Sequence, residues 1–329
     1  MATEIRLMTR FRLMLLTLIG IMLFSSTLFA DANEKILVLR ASGEMFSQTY
    51  SGIKDDLGED FKIIEKVIKP ETGINNIKNY LDNIKPILIV LIGNNPVSLY
   101  TSYQKKHAQQ TFPPSVVMSA LYVDRLLKQM KNTQGIRHEV PAVTSIRNIR
   151  SLVKTPIKRV GVLYRKWMRD YIKLNSNYCQ LEGIELIAIE ISNTISVKSL
   201  SYHLRHLLNK NIDALWVAND NALISSQLIQ NVWLPNIKQF NKPVIVGVEG
   251  LTTTALDFGT FAVVPDQYAL GIQGAGLIGD IIDEGIRQFA QNKIYEPISV
   301  KKMLNLNLMQ RRRIAVNESK LENLDRLIE

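Results

Sequence analysis

The segment TFAVVPDQYALGIQGAGLIGD (260–280) holds Gly274, Gly276 and Gly279 in a G-x-G-x-x-G spacing. In a dinucleotide-binding turn such glycines stand between a strand and a helix, where backbone N–H groups approach a pyrophosphate at the helix N-terminus. Here the β-rich run ends at Val264, and Asp266 is placed to cap a helix that begins with Gln267. Gly274 therefore falls about two turns inside a helix, where it cannot cradle phosphate. The expected role of the small residues, Ala269, Gly276 and their neighbours, is a face that lets the helix pack closely on a sheet.

A helix entered directly from a buried strand is half of a β–α unit, and the pattern recurs upstream. Strands are predicted over 35–40, 61–68, 87–93 and 115–121, and a second series over 159–165, 184–191, 212–219, 243–249 and 260–266. Most are β-branched or leucine-rich runs without strict alternation, as parallel strands buried on both faces require. Helical periodicity fills 47–58, 73–84, 168–183 and 196–211. Between the two series, a polar stretch from about 125 to 158, broken by Gly135 and Pro141, is expected to cross from one lobe to another. The expected fold is α/β, with two Rossmann-like three-layer αβα lobes and a central ligand cleft at the carboxyl ends of their strands.

The chain has 329 residues, 46% of them apolar, and a formal net charge of +10. Arg6, Arg10 and Arg12 precede an apolar run from Leu13 to Phe24, and Ala30-Asp31-Ala32 fits a cleavage site. Residues 1–32 thus read as a secretory signal, too short in its apolar part for a membrane span. The single cysteine, Cys179, is far from that signal, so the expected product is a soluble periplasmic protein and not a lipoprotein; Cys179 itself is expected to be a buried hydrophobe. Charge is scattered except at Arg311, Arg312 and Arg313, expected to form a solvated face, and no nucleic-acid partner is expected. His203 and His206 stand three apart without a third ligand nearby, so no metal is expected. With no G-x-S-x-G, Walker or H-E-x-x-H motif, neither an enzyme nor a cofactor is expected.

DALWVANDN (213–221), PVIVG (243–247) and FGTFAVVPDQY (258–268), with MLNLNL near the end, resemble the C-terminal part of type I periplasmic binding proteins. The branch resembled is that of ABC-transporter substrate-binding proteins which includes aromatic amino-acid receptors. The resemblance runs from Arg159 to Asn307; earlier it covers layout, with GNNPVS after the third strand and NTQGI leading to the crossing. Two departures stand out. The family commonly has a Thr-Asp-Pro-like turn where this chain has SALYVDRLLKQM, and Asn with a Glu-Asn-Ser cluster where it has Arg165, Lys166 and Trp167.

The resemblance implies lobe 1 over 33–138 with 266–298 returning to it, lobe 2 over 139–265, and a C-terminal crossing segment and tail over 299–329. Closure around a small polar solute such as an amino acid would present a surface to a membrane permease of an ABC transporter. A membrane sensor, a kinase or a cyclase, is the alternative partner, and a monomer is expected. Candidate ligand contacts at strand ends are Ser42, Gly43, Glu44, Asn94, Asn95, Ser119 and Tyr122 from the first lobe. The second lobe offers Tyr164, Arg165, Asn219, Asp220 and Glu249. For an amino acid, Arg165 with the Asn94 turn is the candidate for the carboxylate, and Asp220 or Glu249 for the ammonium.

Overall fold

In a computed structural model, residues 34–285 and 292–329 are described, and the expected signal segment lies outside them. The first sheet holds β1 (Lys35–Ala41), β2 (Lys62–Ile68), β3 (Leu88–Ile92), β4 (Ser115–Met118) and β5 (Thr133–Ile136). The second holds β6 (Arg159–Arg165), β7 (Glu185–Ile191), β8 (Ala214–Val217), β9 (Val244–Val246) and β10 (Phe261–Pro265). Three late strands complete them: β11 (Ile294–Tyr295) joins the first sheet, while β12 (Val300–Asn305) and β13 (Arg326–Ile328) join the second. The strand orders are β11-β5-β4-β3-β1-β2 and β13-β12-β10-β9-β8-β6-β7. Pairing is parallel throughout, except that β12 runs antiparallel to β10.

Successive side chains of one strand feed opposite cores, which is why the buried strands read as continuous apolar runs. From β1, Ile36 and Val38 enter one cluster with Val90 and Met118. Leu37 and Leu39 enter another with Ile89 and Val117. In the second sheet Val160, Val162 and Trp216 face one side and Leu163, Leu215 and Val217 the other. Each lobe is therefore a helix–sheet–helix sandwich.

The chain changes sheet three times, between Ile136 and Ala142, between Pro265 and Gln267, and between Tyr295 and Val300. The first of these is shorter than the polar stretch predicted. Within 125–158 lie β5 and a helix, Ala142–Leu152, whose Ile146 and Ile149 are fully buried. Strand 115–121 also ends early, at Met118, because Ser119 and Tyr122 take left-handed backbone conformations (φ 51 and 58).

Asp266 caps the helix Gln267–Asp283, accepting hydrogen bonds from the Tyr268 and Ala269 N–H groups. Although β10 belongs to the second sheet, this helix packs in the first lobe against the helix Glu44–Leu57. The close approach is made by Gly271 and Gly274, not by Gly276. A Cβ on Gly271 would lie 2.2 Å from the Thr49 carbonyl oxygen, and one on Gly274 would lie 2.1 Å from the Met118 sulfur. Gly276 and Gly279 face open space. The expectation that Gly276 serves close packing is thereby corrected: the small face lies one turn earlier and meets a helix as well as a strand. Gly276→Ala is expected to stabilise the protein by about 0.5–1 kcal/mol, since it only restricts the unfolded backbone. Gly271→Ala is expected to destabilise it by about 1–3 kcal/mol through overpacking. Urea midpoints that move in the same direction for both would refute this placement.

Candidate functional site

The carboxyl ends of both sheets face a cleft of about 1000 Å³. On the first-lobe side, β1 and β3 run into glycines, Gly43 (φ 125) and Gly93 (φ 95), whose conformations other residues rarely adopt. Helices Glu44–Leu57 and Asn94–Lys106 follow without side-chain caps, so their first-turn N–H groups lack side-chain acceptors at the cleft wall, where Glu44, Met45, Phe46 and Asn94 stand. The Asn94 amide is tied to the loop after β4: Oδ1 accepts from the Leu121 N–H (2.9 Å) and Nδ2 donates to the Leu121 carbonyl (3.2 Å). Behind it lies a buried polar triad. Ser119 Oγ donates to Gln267 Oε1 (2.9 Å), Thr49 Oγ1 donates to the same oxygen (3.2 Å), and the two hydroxyls are 3.0 Å apart.

His138 completes that wall. It is 9% exposed, its Nδ1 is buried without a hydrogen-bond partner among the described residues, and burial pulls the imidazole down to about 4, so the ring is neutral at physiological pH.

The second-lobe side is built from Asn219, Asn221, the loop 247–250, Val264 and Pro265, with Lys301, Met303, Asp325 and Arg326 from the two terminal strands and their approach. Asn219 Nδ2 donates to the Gly247 carbonyl (3.2 Å), and a Cβ on Gly247 would meet Asn219 Oδ1 at 2.4 Å, so these two loops interlock. Charges here are mostly spent on each other: Arg326 pairs with Glu249, Lys301 lies 3.3 Å from Asp266, and Asp325 Oδ2 accepts from the Lys302 N–H. What remains toward the interior is an amide-rich, hydrogen-bonding wall interrupted by Met45, Phe46, Leu121, Val248 and Met303.

Of the residues expected at the site, Glu44, Asn94, Ser119, Asn219 and Glu249 line this cleft. Ser42 and Asn95 are exposed and off its wall. Tyr164 is turned to Glu190, donating to its Oε2 at 3.3 Å. Arg165 and Asp220 hold one another: Nε lies 2.5 Å from Oδ2 and Nη2 2.6 Å from Oδ1, with Asp220 only 2% exposed. A carboxylate clamped in a guanidinium fork and bonded also to the Ala222 N–H is not offered to an ammonium group. Tyr122 spans the lobes instead of lining the cleft. Its hydroxyl donates to the Asn219 carbonyl (2.7 Å), and its ring packs edge-on against Trp167 and Tyr171, centroids 4.6 and 5.4 Å away. Burial drives that phenol far above its ordinary range, so it stays a donor.

His138, Gln48, Asn221, Gln267, Lys301, Asp325 and Arg326 were absent from the expected set. Gln267 had a usable signal, since it follows the cap at the carboxyl end of a predicted strand. Lys301 and Arg326 had none, because β12 and β13 were not predicted. Elsewhere, Cys179 is buried as expected, its thiol pushed up to about 11 by burial, and Trp216 and Trp233 are core residues. Arg312 is buried rather than solvated, 7% exposed, in contrast to the expectation for the Arg311–Arg313 run.

No protein-family model matches the chain, and no curated protein matches it. Solved structures do. An ABC domain from Streptococcus pneumonia in complex with L-Trp is 19% identical, with a TM-score of 0.56 over 90% of this chain and 100% of that one. A substrate binding protein with adhesive properties from Clostridium difficile, in its ligand-free, open form, is 15% identical with a TM-score of 0.65, over 90% of this chain and 99% of that one. A periplasmic ribose ABC transporter protein from Conexibacter woesei gives 14% and 0.50, over 86% and 95%. With two β–α sandwiches, three crossings between them and a cleft at their carboxyl edges, the chain has the fold of type I periplasmic binding proteins.

Proposed function

We propose that the protein is a periplasmic solute-binding component of an ABC-type uptake system, closing its two lobes around a small polar solute such as an amino acid. The observation that carries this reading is the cleft of about 1000 Å³ walled from both lobes, with two uncapped helix starts on one side and amides on the other. A carboxylate would sit at the first turns of the helices beginning at Glu44 and Asn94, where unpaired N–H groups and the helix dipoles favour negative charge. Asn219 and Asn221 would take the remaining polar groups, with Met45, Phe46 and Met303 against an apolar part. Lobes over 33–138 with 266–298 and over 139–265, joined by a tail over 299–329, would move about the three crossings. Residues 1–32 would direct export, and the described residues hold no helix long and apolar enough to cross a membrane. A permease would read the closed form; catalysis forms no part of this proposal.

The test uses protein recovered from the periplasmic fraction, its start near Asn33 checked by mass spectrometry, and titrated calorimetrically with amino acids and sugars. One of them is expected to bind saturably and, at a hundredfold excess over Kd, to raise apparent stability by about 2.7 kcal/mol. Asn221→Ala, which alters the wall without touching the core, is expected to weaken that solute. A membrane-fraction protein with an intact Met1, or wild-type affinity in the variant, counts against the reading.

One observation favours a second reading, a sensory module of the same fold that signals to a membrane kinase or cyclase. The Arg165–Asp220 pair and the Tyr122 hydroxyl already engage groups at the second lobe's strand ends. A screen in which no solute binds, together with a compact scattering profile without additive, would select it.

A further inference from the structure

The one charged run in the sequence leads to a second site, at the opposite edge of the second sheet from the cleft. Pairing of β12 with β10 aligns Val300 with Pro265, on the cleft wall, and Leu304 with Phe261, at the far end. The chain then enters the helix Leu306–Arg311, and Arg312 follows at its C-terminus. Arg311 and Arg312 diverge from that point. Arg311 closes a two-armed ion pair on both carboxylate oxygens of Asp257. Arg312 turns inward, and among the described residues its Nη2 finds the Asp257 and Phe258 carbonyl oxygens, each at 3.3 Å. Its Nη1 is buried and has no hydrogen-bond partner among the described residues.

A buried guanidinium with an unused donor and no carboxylate of its own is costly, and such charges are ordinarily paired. The nearest acid, Asp257, is fully occupied by Arg311. Burial pulls Arg312 down to about 10, Asp257 opposing the effect and Arg311 adding to it. The same side chain forms part of the wall of a recess of about 470 Å³, together with Arg311, Lys238, Gln230, Asp257, Leu234 and Leu308. Three cations against one anion line this recess, with an exposed amide and an exposed ammonium at its rim. Planar guanidinium donors with a neighbouring lysine are the donor set that oxyanions prefer.

We propose that this recess is a binding site for a phosphate group, held by Lys238 and Gln230 at the rim and attracted by the positive charge of the Arg312 guanidinium that forms part of its wall. The group is recognised as a small multidentate oxyanion, carried either by a free phosphate compound or by a phospholipid headgroup. The site is independent of the solute cleft and does not depend on what the cleft binds.

Inorganic phosphate and vesicles of phosphatidylglycerol serve as the two probes, each in a chloride buffer of constant ionic strength. Inorganic phosphate is expected to raise the thermal midpoint saturably and to give a calorimetric isotherm. Lys238→Ala is expected to weaken it about tenfold or more, and Arg312→Met to abolish it. Because methionine needs no counter-charge, Arg312→Met is also expected to melt at or above the wild-type temperature in phosphate-free buffer. Should that variant fail to fold, Lys238→Ala and Gln230→Ala, both at exposed positions, decide the matter. Vesicle binding that is lost in Lys238→Ala, with free phosphate silent, assigns the group to a lipid. A linear, unsaturated rise with phosphate, equal in wild type and variants, is general salt exclusion from the surface and overturns the proposal. So does the absence of any effect from both probes.

Discussion

Arg165→Ala is expected to lower stability by about 3–5 kcal/mol, among the larger costs a single substitution outside the apolar core can carry. Truncation leaves the Asp220 carboxylate, 2% exposed, with the Ala222 N–H as its one remaining hydrogen bond among the described residues. The reverse change is milder. Asp220→Asn keeps an oxygen for the Ala222 N–H, and the Arg165 guanidinium, 19% exposed and stacked 5.4 Å from the Trp167 ring, can turn to water. The urea midpoint should therefore fall much further for Arg165→Ala than for Asp220→Asn, at unchanged slope. Equal midpoints for both variants and wild type would remove the pair from the scaffold and return Asp220 to the solute.

Glu139→Gln is expected to stabilise the protein at pH 8 by on the order of 3 kcal/mol, and by progressively less on acidification until the difference vanishes near pH 4.5. Glu139 is 3% exposed, accepts the Tyr122 N–H at 2.6 Å, and is pushed up to about 7 by burial. Its proton is thus bound more tightly in the folded chain than in the unfolded one. Between about pH 4.5 and 7 the native state carries more protons at this site, so stability falls as pH rises. Glutamine keeps the acceptor for Tyr122 and has no proton to lose. The adjacent His138 has the opposite sign. Pulled down to about 4, it favours the folded state above its unfolded value of 6.5, and that contribution is lost as pH falls toward 4. The neighbours offset each other in wild type over roughly pH 4.5–6.5, and Glu139→Gln should expose the acid-side loss belonging to His138. Unfolding curves of both proteins at half-unit steps from pH 4 to 8 measure it, and a difference that does not change with pH would show that Glu139 stays charged in the fold.

The sandwich core was legible because burial on both faces leaves little choice of residue. In LIVLI of β3 every residue is buried, and such a run has no helical or alternating period to confuse it. β5 was not legible: TQGI is fully buried, yet it carries two polar side chains and a glycine, whose absent side chain makes room for Val123. β11 has two residues and β13 has three, below the length at which pattern carries information. The rule that ligands gather at strand carboxyl ends put five of its candidate residues, Glu44, Asn94, Ser119, Asn219 and Glu249, on the wall of the cleft. It failed at Arg165, Asp220 and Tyr122, because those positions obey it while their side chains are consumed by each other or by the facing lobe. Charge type read from sequence cannot tell an offered ion from a neutralised one, and the Arg311–Arg313 run shows the same limit.

The return of the helix Gln267–Asp283 and of β11 to the first sheet sets an order on synthesis. The helix Glu44–Leu57 leaves the ribosome early, but the surface that Gly271 and Gly274 press against it and against Met118 does not exist until nearly the whole polypeptide has been made. The second lobe finds most of its strands in one continuous stretch, so it can condense while the first still lacks one helix of a layer. Whatever handles the nascent chain therefore meets an amino-terminal sandwich with part of one apolar face uncovered, and a truncation anywhere before Asp266 strands the molecule in that condition.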